Sequence, residues 1–235
     1  MLISFEKKIL FIHIPKNAGT SLKNLLSPFC LFPYHSRMNE RLNRPFTYAE
    51  RHFKLHIHKR ILYINSPEGI KIGMINADSL HHAKATDLQR ILGNKLFNSL
   101  FKFAFVRNPW AKEVSDYEYI KRSKEHPVYP LIHSRSLSFE QYLEWKIQKG
   151  NNQSPQLSYI ADRNNNLLID FVGKVENINQ DIKKLSKLMN LELEELPKLN
   201  SRKQSCGYQE LYNSHSKKLV EQLHKNELEL FDYSF

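Results

Sequence analysis

Residues Phe11 to Leu22 read FIHIPKNAGTSL, and the change of texture along them decides the fold. With the residues before it, the stretch makes a compact apolar run, Lys8 to Ile14, rich in Ile and Phe. Such a run predicts a buried central strand of a parallel sheet. Pro15 ends the strand, and from Thr20 the chain restarts as a helix continuing over Ser21 to Leu26. Between them lie one lysine, one glycine and small side chains. A helix N-terminus presents unpaired N–H groups and a partial positive charge, so this strand–turn–helix is a candidate oxyanion cradle. Gly19 and Ala18 permit close backbone approach, Thr20 and Ser21 add hydroxyl donors, and Lys16 adds a full charge. The plain alternative is a structural turn that happens to carry a lysine.

Working outward, Phe101 to Val106 is a second buried strand ended by Arg107-Asn-Pro. A helix over Trp110 to Lys121 follows, with Pro109 near its first position, where a missing N–H costs little. Ala85 to Leu92 is amphipathic, with Leu88, Ile91 and Leu92 on one face and Gly93 as its stop. Phe139 to Gln148 is a helix capped by Ser138, and Ile178 to Met189 places Ile182, Leu185, Leu188 and Met189 at core spacing. Leu167 to Val172 reads as a third strand, Ile61 to Asn65 and Ile70 to Ile75 as a hairpin pair, and Gln209 to His224 as the last helix before a packed aromatic tail. Alternating strands and helices predict an α/β protein: three layers, a central parallel sheet flanked by helices, in one domain spanning 1–235.

The formal net charge of +11 and pI of about 9.5 favour anionic partners without choosing among them. Cys30 and Cys206, far apart and outside any CxxC, make neither a zinc site nor a disulfide framework and suit a reducing compartment. No signal-like apolar region opens the chain and no membrane-length apolar stretch occurs, so a cytoplasmic protein without a membrane span is expected. His52, His56 and His58 lack cysteine companions and lie among Lys and Arg, so no metal is expected. The first loop has one glycine, and its lysine precedes it, so it is not GxxxxGK[ST] and a P-loop kinase is the weaker reading. A basic nucleic-acid-binding module would explain the charge, yet no nucleic-acid-binding signature is present.

The loop FIHIPKNAGTSL resembles the 5′-phosphosulfate-binding loop of the Golgi-type carbohydrate sulfotransferases, family 2, and their bacterial relatives. These enzymes use 3′-phosphoadenosine-5′-phosphosulfate (PAPS). FKFAFVRNPWAKEVSDY, Phe101 to Tyr117, resembles the 3′-phosphate-binding segment of the same family, and the likeness continues through HHAKATDLQRILG, DFVGKVENI and LPKLNSR. The resemblance implies a P-loop-like fold and a sulfonyl transfer from PAPS to a carbohydrate hydroxyl, with an amine as second choice. It implies that Pro15, Lys16, Asn17, Ala18, Gly19, Thr20 and Ser21 hold the 5′ side of the donor, and Arg107, Ser115 and Arg202 the 3′ side. Lys16 would hydrogen-bond the bridging oxygen as charge builds on the leaving nucleotide. A histidine suits the general-base role, and His82 matches the family's segment best, with His81 beside it as the alternative. The acceptor identity and the oligomeric state stay open.

Overall fold

The computed structural model describes residues 1–30, 81–149, 155–196 and 207–235, and the backbone of strands at 57–58, 61–65 and 71–76. The chain divides into two compact units. The first comprises Met1–Phe105, Ser158–Gly173 and Asn177–Leu196; the second comprises Val106–Leu157, Lys174–Glu176 and Pro197–Phe235.

In the first unit, β1 (Leu2–Ser4) and β2 (Ile9–Phe11) lead to α1 (Gly19–Leu26). Strands β3 (Ile57–His58), β4 (Ile61–Asn65) and β5 (Lys71–Asn76) pair antiparallel in a separate small sheet, as the hairpin reading expects for the last two. Helices α2 (Ala85–Leu92) and α3 (Asn94–Ser99) precede β6 (Phe101–Val106). Further along come α4 (Pro109–Arg122), α5 (Tyr129–Ser134), α6 (Phe139–Gln148), α7 (Leu157–Ile160), β7 (Phe171–Lys174), α8 (Ile178–Met189) and α9 (Ser214–Phe231).

The main sheet has the order β1-β2-β6-β7. β2 runs parallel to β6, and Ile12 extends the pairing by donating to the Phe103 carbonyl at 2.9 Å. Ile9 to Ile12 and Phe103 to Val106 are buried at every successive position. Both faces of these strands are therefore covered, which is why they read as continuous apolar runs rather than alternating ones. Gly173 completes the packing, since a Cβ there would meet the Phe105 ring at 2.5 Å.

The sheet is mixed, not parallel throughout. β1 pairs antiparallel with β2, because the chain reverses at Lys8 in a left-handed conformation (φ 53°) and folds Leu2–Ser4 back as an edge strand. The third strand lies at Phe171–Lys174, later than expected. Leu167 is taken up instead in a local bridge with Ala161, and Leu168 N–H donates to Ile160 O at 2.8 Å. Gly93 ends α2 as expected, at φ 77°. In α8 the buried face is Asp181, Ile182 and Leu185, while Leu188 is exposed, so the helix turns a narrower stripe inward than its apolar residues propose.

The second unit is helical. Asn108 caps α4, its side chain accepting from Trp110 N–H at 3.0 Å and Ala111 N–H at 3.4 Å, with Pro109 at the start. Ser138 and Gln141 close a reciprocal capping box on α6. The core gathers Trp110, Val114, Tyr117, Phe139, Tyr142 and Val220. The last helix starts five residues later than expected and runs on to Phe231, because Asn213 and Ser216 form its cap; it kinks at His224. The terminal segment packs as anticipated: the Phe235 ring meets Trp110, Tyr208 and Tyr212 at centroid separations of 5.5, 5.9 and 5.4 Å.

Candidate active site

The β2–α1 loop begins where the strand pairing stops. Two of its residues, Lys16 (φ 67°) and Ala18 (φ 56°), occupy the left-handed region that side chains seldom adopt. The backbone therefore coils tightly before entering α1. Asn17 anchors that coil from within: it is buried, and its side-chain amide donates to the Phe105 carbonyl on β6 at 2.7 Å. Ala18 stands at the N-cap of α1, where no side chain caps the helix and no acidic residue occupies the first turn. A helix start so built leaves its N–H groups and its partial positive charge to a ligand. Pro15, Lys16, Ala18 and Ser21 are half-buried and Thr20 is exposed.

The structure gives Gly19 a packing reason as well. A Cβ there would lie 1.7 Å from Nε2 of His13, so the absent side chain makes room for the imidazole of the preceding strand. Gly19 is thus a packing glycine within the loop. His13 is buried and its Nδ1 has no hydrogen-bond partner among the described residues. Burial, reinforced by His82 and the neighbouring cationic groups, pushes its pKa far down and keeps the ring neutral.

The His81–His82 doublet docks on this ring. Centroid separations are 5.0 Å for His13–His81, 4.5 Å for His13–His82 and 4.4 Å for His81–His82. His82 Nδ1 lies 3.3 Å from the His13 carbonyl, and the residue is exposed. His81 is half-buried, and Lys23, one turn into α1, brings its Nζ to 3.1 Å from both of its ring nitrogens. The fold therefore joins the loop residues with His82 and His81, and adds His13 and Lys23. No spacing signal links Lys23 to His81, which is 58 residues away.

The three histidines also present ring nitrogens within 4.8 Å of one another, as Glu140, Glu144 and His215 present their ligand atoms elsewhere. The ammonium of Lys23 beside the trio works against a cation there. The separate histidines at 52, 56 and 58 have side chains outside the described residues.

Arg107 and Ser115 belong to the second unit. Arg107 leaves the carboxyl end of β6 immediately before the Asn108 cap, the position at which open α/β sheets bind ligands. Its backbone is clamped by Gln156: Arg107 N–H donates to Gln156 Oε1 at 2.8 Å, and Gln156 Nε2 donates to Arg107 O at 2.9 Å. Burial lowers the guanidinium pKa, opposed by Glu176 and Tyr233. Ser115 is half-buried seven residues into α4, on the helix face below Asn108. Arg202 lies outside the described residues.

A family model described as the sulfotransferase family matches residues 1–234. The chain belongs to the sulfotransferase family. It is also similar to an uncharacterized protein of Archaeoglobus fulgidus, 36% identical over 102 residues, a span covering 43% of this chain and 76% of the relative. Family membership makes the chain a sulfotransferase, an enzyme whose acceptor must meet a sulfonyl donor. No helix of the described residues is long and apolar enough to cross a membrane.

Proposed function

We propose that the chain is a PAPS-dependent sulfotransferase acting on a hydroxyl, secondarily an amine, of a carbohydrate. The supporting observation is the β2–α1 loop: a tightly coiled, uncapped helix start carrying Lys16, onto which an exposed histidine is docked through His13. In this reading the single domain has a three-layer P-loop-like fold, works in a bacterial cytoplasm, and uses neither metal nor nucleic acid. The net charge of +11 supports an acidic glycan as acceptor.

The chemistry is one in-line displacement. The acceptor oxygen forms a bond to sulfur as the bond from sulfur to the bridging oxygen breaks. His82 takes the acceptor's proton, with His81 as the alternative base. Lys16 donates to the bridging oxygen and stabilises the charge that builds there. The N–H groups at 17–20 with Thr20 and Ser21 hold the 5′-phosphate; Arg107, Ser115 and Arg202 hold the 3′-phosphate, where guanidinium matches phosphate geometry.

Calorimetry with adenosine 3′,5′-bisphosphate, PAP, tests the reading directly, run against ATP–magnesium and a random oligonucleotide. Metal-independent PAP binding is the expected result. Lys16→Ala and His82→Ala should each abolish transfer while His82→Ala still binds PAP. Normal turnover in His82→Ala removes it as the base, and binding of ATP–magnesium in place of PAP overturns the donor assignment.

A further inference from the structure

The second unit holds a chain of buried polar side chains that ends on Arg107. Gln156, which clamps both backbone polar groups of Arg107, also donates to Glu227 Oε2 at 3.1 Å. Glu227 accepts the Leu157 N–H through Oε1 at 2.9 Å, fixing the backbone beside Gln156. Behind it, His224 bridges two carboxylates, with Nδ1 at 2.9 Å from Glu227 Oε2 and Nε2 at 3.0 Å from Glu113 Oε1. Glu113 Oε2 accepts from Lys146 at 2.5 Å. Gln156, Glu113 and Glu227 are essentially inaccessible to solvent, and His224 is 4% exposed.

None of these groups reaches solvent, so none can exchange protons with a substrate. Their common product is geometric. Isolated buried charges are costly, and this series is tolerated because each member has a partner on both sides. The His224 position is also where α9 leaves helical geometry (φ −121°, ψ 20°), which lets one imidazole face both carboxylates. The sequence of partners then runs from α6 and α4, through α9, to the residue that grips the end of β6.

We infer that Gln156 and Glu227 are positioning residues for Arg107: the Glu113–His224–Glu227–Gln156 series aims the strand end from which Arg107 reaches the 3′-phosphate of the donor. The inference rests on the proposed role of Arg107. Gln156 supplies the grip, because its amide satisfies the Arg107 N–H and C=O together. Glu227 sets which way that amide faces, because only Nε2 can donate to a carboxylate.

The test compares two probes on each protein: PAP, and adenosine 5′-phosphate, which lacks the 3′-phosphate. Both are titrated into the same preparation, so a loss of folded protein alters the stoichiometry of both but not the ratio of their dissociation constants. Wild type is expected to prefer PAP, and Arg107→Ala to abolish the preference. Gln156→Leu and Glu227→Gln are expected to cut the preference roughly 10- to 100-fold, the size of a misdirected charged hydrogen bond, while affinity for adenosine 5′-phosphate holds. Glu227→Gln keeps side-chain volume and carries the test alone if Gln156→Leu does not fold. A wild type without preference, or an Arg107→Ala that retains it, overturns the role of Arg107. An Arg107→Ala that loses the preference beside Glu227→Gln and Gln156→Leu proteins that keep it overturns the positioning inference alone.

Discussion

Gly19→Ala is the sharpest test of how the loop is built. The added methyl would sit 1.7 Å from His13 Nε2, 2.1 Å from Cδ2 and 2.7 Å from Cε1, where ordinary contact begins at 3.4 Å. The ring must retreat by more than an ångström, yet it is buried and packs against the His81 and His82 rings. Overpacking of this kind costs about 1–3 kcal/mol, and a wedged aromatic belongs at the upper end. For a chain of this size, about 3 kcal/mol lowers Tm by roughly 6–12 °C. Thermal unfolding followed by circular dichroism measures it. The companion variant His13→Ala isolates the cause, because removing the ring removes the clash. The double variant should therefore be more stable than additivity allows, with a coupling of about 2 kcal/mol. A Gly19→Ala protein melting within about 1 °C of wild type, or strict additivity in the cycle, would refute the packing argument.

The remaining expectations concern charge and backbone. Glu113→Ala leaves Lys112, Lys146 and His224 around an empty site and should cost about 3–5 kcal/mol, read from a urea midpoint; a loss below about 1 kcal/mol would show the series to be ornamental. His13 and His224, both buried, should give pH dependences of opposite sign. His13 has its folded pKa pushed below the usual 6.5, so its unfolded form binds the extra proton and stability falls as pH drops below 6.5. His224 has its folded pKa raised by Glu113 and Glu227, so its contribution is complete below 6.5 and is lost as pH rises through the folded value. Urea midpoints for His13→Gln and His224→Gln across pH 5 to 9 should each flatten one limb only; a variant that flattens the other's limb contradicts the assignment. Ala18→Gly, at φ 56°, should gain about 0.5–1 kcal/mol by relieving left-handed strain, and a destabilised variant would mean that the Ala18 methyl packs productively.

What can be read from the chain is what is locally encoded. Phe101–Val106, Ala85–Leu92 with its Gly93 stop, the Ser138 cap and Ile178–Met189 all announce themselves within a few residues, through apolar runs, periodicity and capping side chains. The antiparallel β1 does not, because three residues carry too short a pattern and the reversal depends on a left-handed lysine. The shift of the last strand to Phe171–Lys174 depends on the Leu168–Ile160 hydrogen bond, a tertiary choice between two apolar segments. At the candidate site the loop and the His81–His82 doublet are legible as motifs. Their meeting through His13 is not, nor is Gln156, which precedes a short helix by one residue and gains its meaning from Arg107, 49 positions away, and Glu227, 71 positions away.

His13 also explains how a proposed phosphate cradle and a proposed base can share one geometry. It lies three residues before Lys16 on the same strand exit, so its position is set by the β2–β6 pairing and by the Asn17 anchor on Phe105. Its ring fills the space that a Gly19 side chain would take and also meets both histidines. A shift of the loop would therefore carry the imidazole, and with it the His82 contact, in the same direction. In-line transfer needs the leaving oxygen and the accepting base at a constant separation, and small misplacements cost rate steeply. A buried, uncharged ring suits the part of spacer between the loop and the proposed base. Under the proposed mechanism it neither competes for the acceptor's proton nor adds a charge that would compete with the helix start for the donor's phosphate.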